Sequence, residues 1–248
     1  MNERMSDATA NTTNTNTAEK SSDDVKSSDN GTDSSSSAAQ NFSVLGPDYV
    51  AAGKLALKLA VEEAQRSFQQ GRIPIAGALV ERLSNGELKV VAVGHNGRIP
   101  PTQKTTTSSS KSGDADSTNV IGYPSDHGET ACIRAIPTFA DVNWANAVFA
   151  TTLSPCIMCT RSLVHLHTLG LQRLVIAEST SYPGCSGVLK DLGMAIVELA
   201  NEAAIVAMAS FARTYPWDWA ADIGMIPPLL EKGMFMSLSR LFVVGDPV

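Results

Sequence analysis

The chain has 248 residues, a net charge of -6 and a mean hydropathy near zero, which bounds it to one soluble domain, two at most. Residues 1–46 hold seven of the 25 acids and three of the 19 bases, and no Lys/Arg run occurs anywhere. A polyanion partner draws on such a stripe for counterion release, so nucleic acid is disfavoured as a partner.

No apolar run approaches the ~20 residues that span a bilayer, and the polar, acidic start has neither the apolar core of a secretory signal nor the Arg-rich pattern of a transit peptide. The expectation is no membrane partner and a cytoplasmic protein, with the nucleus left open as a second compartment. Four cysteines are too few for a disulfide scaffold, and Cys156 and Cys159 form a C-x-x-C. In a reducing compartment that pair reads as metal-binding or redox-active.

Residues 1–46 are mostly Ser, Thr, Asn, Asp and Ala. They lack the apolar surface to offset an ordering cost of ~1–2 kcal/mol per residue, so a disordered tail is expected. Asp48 is placed to cap a helix over 48–70, with Leu55, Leu59, Val61, Ala64 and Phe68 as its buried face and Gly71 as its stop. Strands follow over 76–81 and 88–94, joined by the hairpin signal Asn85–Gly86. Residues 100–125 are of low complexity and read as a surface loop inserted in a compact domain.

A helix is expected from His127 to about Pro137, a strand over 147–153, a helix over 156–169 stopped by Gly170, and a strand over 173–177. A short helix around 189–192, a strand over 195–199 and a helix over 202–214 complete the set. Strand–helix–strand alternation implies parallel pairing with helices on both faces of a sheet, an α/β architecture. The folded domain is bounded at 47–224, leaving 225–248 as a C-terminal extension with Pro227-Pro228 and an apolar stretch at 238–244.

The chemistry concentrates in His127-Gly128-Glu129 and Pro155-Cys156-Ile157-Met158-Cys159. Alone, C-x-x-C fits a redox pair, half of a structural zinc site or chance, and H-x-E is weaker still. Together and in this order they form the H-x-E…P-C-x-x-C signature of zinc deaminases. One imidazole and two thiolates fill three positions of a tetrahedral zinc and leave the fourth to water, whose pKa the metal lowers. His127, Cys156 and Cys159 are therefore the expected ligands. Glu129, two residues past His127 in the first helical turn, is the expected proton carrier, since C–NH2 hydrolysis needs a proton taken from water and protons delivered to a ring nitrogen and to the leaving amine. A structural zinc site would need a fourth protein ligand, and His165 and His167 lie about two helical turns from Cys159, too far along to serve.

From about Asp48 to Gly224 the chain resembles the fungal-type cytosine deaminases, within the cytidine deaminase-like superfamily. Besides the zinc motif, the resemblance rests on Ile73-Pro74-Ile75-Ala76-Gly77, Gly94-His95-Asn96, Thr151-Thr152-Leu153-Ser154-Pro155 and Asp218-Trp219-Ala220-Ala221-Asp222-Ile223-Gly224. It implies a three-layer α/β/α sandwich around a mixed five-stranded sheet, one zinc per subunit and a homodimer. The implied reaction converts cytosine to uracil and ammonia in pyrimidine salvage, with a small nucleobase as substrate.

By resemblance, Asn96 would bond the pyrimidine edge and Gly128 would lend its N–H to the ring carbonyl. Asp222 would contact the substrate, Trp219 and Ile223 would cover the ring, and Tyr182 would stack on it. The chain departs from the pattern in the long 100–125 loop, in Arg161-Ser162 where small residues are usual, in Ala220 in place of a larger residue, and in continuing past Gly224. Guanine or cytidine deamination, a tRNA adenosine deaminase-like editing subunit and a non-catalytic zinc module are the alternatives. The closed cover counts against cytidine, since it leaves no path for a ribose, the missing basic patch against the editing subunit, and the intact Glu129 against the non-catalytic module.

Overall fold

A computed structural model of the protein describes residues 41–98 and 125–224. The expected loop at 100–125 lies outside them except for Ser125, as do the expected extension at 225–248 and all but the last residues of the expected tail. Five strands form one sheet in the order β2-β1-β3-β4-β5: β1 Ala76–Arg82, β2 Leu88–His95, β3 Ala147–Leu153, β4 Arg173–Glu178 and β5 Ala195–Glu198. β1 pairs antiparallel with β2 and β3, while β3, β4 and β5 run parallel. The sheet is therefore mixed, and only its second half follows the parallel rule that strand–helix alternation suggests.

Six α-helices flank it in the described residues: α1 Val50–Gln69, α2 Gly128–Arg134, α3 Ile157–Thr168, α4 Ser186–Asp191, α5 Glu202–Thr214 and α6 Pro216–Asp222. The two-residue period of the strands separates two cores. Ala78, Val80, Val148, Ala150, Val175 and Val197 face α1, whereas Leu79, Phe149, Leu174 and Ile176 face Cys132 of α2, Leu163 and Leu166 of α3 and Leu189 of α4. Helices thus cover both faces, giving the three layers.

Two expectations about α1 change. Its fully buried row is Ala52, Ala56, Ala60 and Ala64, at i, i+4 spacing, while Leu55, Leu59, Val61 and Phe68 flank it half-buried. Methyl side chains let the helix axis approach the sheet, and the longer residues then fill the margins. Asp48 does not cap α1: it sits in the 3-10 turn Pro47–Tyr49, exposed, with its carboxylate 3.9 Å from Arg82. The packed body also begins earlier than Pro47, since Phe42 (4 % exposed) and Leu45 (2 %) are buried in the core beneath α1.

The turn at Asn85–Gly86 is present, with Gly86 at φ +86°. α6 was not anticipated, although Pro216 stands in its first turn, where a missing N–H costs nothing. It packs on α5, and Trp219 joins Ile73, Ile75, Leu153, Met208 and Phe211 in a third apolar cluster. That cluster closes one edge of the sheet, where β2, β3 and β4 end and β1 begins.

Candidate active site

At that edge each strand end delivers one part of a narrow cleft, as open α/β sheets commonly do. Ile75 precedes β1, Ser154 and Cys156 follow β3, and Tyr182 lies in the loop after β4. His127 and Glu129 come from the start of α2, and Trp219, Asp222 and Ile223 come from α6 and its end.

His127 and Cys156 are the N-cap residues of α2 and α3, both with extended backbone (ψ 163° and 173°). The extended cap turns each side chain out of its helix and toward the other helix start. His127 Nδ1 and Cys156 Sγ meet at 3.5 Å, and Cys159 Sγ, one turn into α3, completes a set whose ligand atoms all lie within 4.8 Å of one another. This is the one such group found among the described residues. Its donors, one imidazole nitrogen and two sulfurs, suit tetrahedral zinc. The His165 and His167 side chains take no part in it.

α2 can lie this close to the sheet only because of glycine. A Cβ on Gly128 would stand 2.7 Å from the backbone of Ala76, and one on Gly94 of β2 would stand 2.5 Å from the Cys132 nitrogen. Both distances are shorter than real Cβ contacts allow, so these glycines fix the depth at which His127 and Glu129 enter the cleft.

The electrostatics follow from burial and from the sulfur pair. Glu129 is buried (2 % exposed), and desolvation raises its carboxyl pKa above the ordinary range. The hydrogen bond from the Cys159 thiol holds Cys156 down to about 4, and the same bond pushes Cys159 up. Burial works against the charged form of His127, yet contact with Cys156 and the charge of Asp222 raise its pKa on balance. A low-pKa sulfur beside a second sulfur and an imidazole nitrogen is suited to taking up a divalent cation, which displaces the remaining ligand protons.

Asp222 occupies the far side of the imidazole. Its Oδ1 lies 3.5 Å from His127 Nε2, 3.1 Å from Asn96 Nδ2 and 3.0 Å from Arg98 Nη1. Burial raises its pKa, with His127, Arg98 and Asn96 opposing. Asn96 is fully buried at the end of β2 but does not line the cleft: its Nδ2 donates to Asp222 and its Oδ1 accepts from the Arg98 backbone N–H at 2.9 Å. Gly128 sits between His127 and Glu129 as the first residue of α2.

Tyr182 and Trp219 meet edge-to-face, ring centroids 6.3 Å apart at 88°. The loop carrying Tyr182 is held by Glu178, whose Oε2 accepts the backbone N–H groups of Thr180 and Ser181 at 2.7 and 2.9 Å. Ser154 Oγ donates to the Pro183 carbonyl and ties the same loop to β3. Among the described residues the Trp219 indole N–H is buried without a hydrogen-bond partner.

All ten residues singled out in the sequence thus gather within this cleft or directly behind it. Ile75, Leu153 and Ser154 also line it, and Arg98 bonds Asp222 from outside it; these four were not singled out as site residues. Ile75, Leu153 and Ser154 lie inside motif blocks of the sequence. Arg98 carries no such signal, because its partner Asp222 is 124 positions away.

The sequence pattern described as "Cytidine and deoxycytidylate deaminase zinc-binding region" matches residues 52–178. The chain belongs to this deaminase family. The match takes in α1 through β4 and includes His127, Glu129, Cys156 and Cys159, so the zinc-deaminase chemistry expected of these motifs is that of the family.

Among characterised proteins, the chain is similar to a cytosine deaminase of Candida albicans, 28% identical over 171 residues that cover 69% of this chain and 96% of the relative. Among solved structures it is similar to a guanine deaminase from Nitrosomonas europaea, at 18% identity and a TM-score of 0.43, covering 68% of this chain and 85% of that one. A guanine deaminase from Bacillus subtilis matches at 19% identity and a TM-score of 0.33, covering 50% of this chain and 62% of that one. No helix among the described residues is long and apolar enough to cross a membrane.

Proposed function

We propose that this member of the deaminase family hydrolyses the exocyclic amine of cytosine, giving uracil and ammonia. The observation that carries the reading is the placement of Glu129 beside the His127, Cys156 and Cys159 set in a narrow cleft roofed by Trp219 and Ile223. A flat polar base suits such a slot: aromatic groups cover its faces and polar groups meet its rim. The similarity to the Candida albicans cytosine deaminase supports the same choice among bases.

His127 Nδ1, Cys156 Sγ and Cys159 Sγ would hold one zinc per subunit. The metal, when bound, supplies the Lewis acidity that makes water a nucleophile near neutral pH. Glu129 takes a proton from the water attacking C4 and delivers it to N3. It then carries the proton of the new C4 hydroxyl to the amine. The C4–N bond breaks, C4 becomes a carbonyl and ammonia leaves, so one water is consumed for each base. Burial raises the Glu129 pKa, which makes its carboxylate a better base than an exposed one, and the proton it takes up is then at hand for the return transfer.

Around the ring, Gly128 offers its N–H to the carbonyl, and Asp222, held in place by the Asn96 amide behind the cleft, reads the remaining polar edge. Tyr182 stacks on the ring, and Trp219, in edge-to-face contact with Tyr182, covers it together with Ile223. The proposal extends to a homodimer acting in pyrimidine salvage, in the cytoplasm with the nucleus as a second compartment. The test incubates purified zinc-loaded protein with cytosine, cytidine, adenine and guanine and measures ammonia. Release from cytosine alone, or far faster than from the others, supports the reading; release from guanine or cytidine in preference overturns it.

A further inference from the structure

The three residues after β2 form a small unit aimed at the other end of the chain. Asn96 Oδ1 accepts the Arg98 backbone N–H, and Gly97 N–H donates to the Asp126 carbonyl at 2.8 Å, which fixes the segment against the residue before His127. From that base the Arg98 guanidinium reaches the last turn of α6 twice. Nη1 donates to the Ala221 carbonyl at 3.2 Å and to Asp222 Oδ1 at 3.0 Å. A cation on the carbonyls of a helix C-terminus is favourable in itself, and here the same group also neutralises a carboxylate whose side chain is 2 % exposed.

α6 has only seven residues and carries Trp219 in the roof of the cleft, with Ile223 just beyond it. A helix of that length has little stability of its own, so its contacts decide where it sits. Its N-terminal half is held by the apolar cluster of Trp219 with Phe211 and Met208. Its C-terminal turn is held by Arg98 and Asn96.

We propose that Arg98 is a positioning residue that pins the C-terminal turn of α6 over the cleft and thereby sets how strictly the site admits a free base over a nucleoside. The selectivity half rests on the cytosine reading given above; the anchoring half does not. Arg98 does not line the cleft, so it acts through Asp222 and the helix.

The experiment compares zinc-loaded full-length wild type with Arg98→Gln and Arg98→Lys, with Arg161→Gln on the exposed face of α3 as a control for lost charge. Hydrogen–deuterium exchange is read across 216–222 and α3, zinc is counted, and kcat and KM are measured for cytosine and cytidine. Arg98→Gln is expected to exchange about tenfold faster in 216–222 with α3 unchanged. Its KM for cytosine should rise on the order of tenfold with a smaller change in kcat, and its preference for cytosine over cytidine should fall. Arg98→Lys, which keeps the charge without the planar fork, should recover part of each effect.

Wild-type exchange in 216–222 of Arg98→Gln overturns the anchor. So does faster exchange throughout, α3 included, since Arg98 would then serve general stability. Local loosening with an unchanged cytosine-to-cytidine ratio overturns the link to selectivity. If the wild type turns over neither pyrimidine, the cytosine reading fails, and the exchange measurement alone decides the anchor.

Discussion

Asp222 Oδ1 stands 3.5 Å from His127 Nε2, on the opposite side of the imidazole from the Nδ1 that meets Cys156 Sγ. A carboxylate there fixes both the tautomer and the ring orientation of a metal-binding histidine. Such outer partners are typically worth about 10–100-fold in metal affinity. Asp222→Ala should therefore retain zinc less well against a competing chelator, by a factor in that range, besides losing activity. Wild-type retention would confine Asp222 to the substrate side of the cleft.

Glu129→Gln should keep the metal and lose turnover. The amide preserves shape but neither accepts nor donates the proton, and loss of a general acid–base group costs about 10²–10⁴-fold. Because one group serves both proton transfers, the top of that range is expected. Turnover of cytosine near the wild-type rate by a zinc-replete variant would remove Glu129 from the proton path.

The two sulfurs make different demands on the solvent. With Cys156 held down to about 4 by its bond from Cys159, and Cys159 pushed up, the metal-free pair keeps one proton near neutral pH. Zinc uptake should then release about one proton from Cys159 and none from Cys156. His127, whose pKa is raised, adds a second release at pH values below its own pKa, and that part fades as pH rises through it. Calorimetric titration in buffers of different ionisation enthalpy gives the count. Two protons lost at alkaline pH would mean that both cysteines begin as thiols. Cys156→Ala or Cys159→Ala should abolish both uptake and activity, because the remaining pair of ligands holds zinc poorly.

Gly94→Ala tests the depth of α2. The new methyl would stand 2.5 Å from the Cys132 nitrogen and close to the Ala131 carbonyl carbon, and backbone on both sides has no easy way to yield. A loss of roughly 1–3 kcal/mol is expected from such overpacking, read as a lower urea midpoint at unchanged slope. Lower activity should accompany it, since the displaced helix carries His127 and Glu129. A variant as stable as wild type would show that α2 shifts without cost.

Much of the site is legible in the sequence because its chemistry is local. His127 and Glu129 share one helix start, and Cys156 and Cys159 share another, so spacing alone names them. Strand 147–153 is placed to the residue because seven consecutive buried residues follow a tryptophan-bearing turn and end at Ser154-Pro155. What pattern does not yield is whatever depends on long-range packing. The alanine row of α1 looks less apolar than its leucines, yet close approach to the sheet puts the small residues innermost. Asp48 looks like a cap until the chain turns through a 3-10 helix before α1. Phe42 and Leu45 stand at the end of a polar stretch, and composition averages them away, although they bury fully. Arg98 is invisible for the same reason: only the fold brings it to Asp222.

The roof of the cleft gives the last prediction. Trp219 is buried, Ile223 follows at the end of α6, and Tyr182 meets Trp219 edge-to-face, so these three side chains close over the cleft that the proposed function assigns to one flat ring. A ribose on N1 would collide with that cover and would also remove the N1–H that Asp222 is proposed to read. A buried polar group left without its partner costs about 1–3 kcal/mol before any steric clash is counted. A site built to bond a substrate N–H discriminates strongly against an analogue lacking it, so kcat/KM for cytosine should exceed that for cytidine by more than roughly a hundredfold. Truncation after Tyr215 removes Trp219, Asp222 and Ile223 together and opens Ile73, Met208 and Phe211 to water. It should abolish deamination of both substrates and lower the melting temperature. Truncation after Gly224 leaves α6 whole and should preserve both the rate and the preference. Equal turnover of cytosine and cytidine by the full-length protein would replace the free-base assignment with a nucleoside one, and an active Tyr215 truncation would take α6 out of the site.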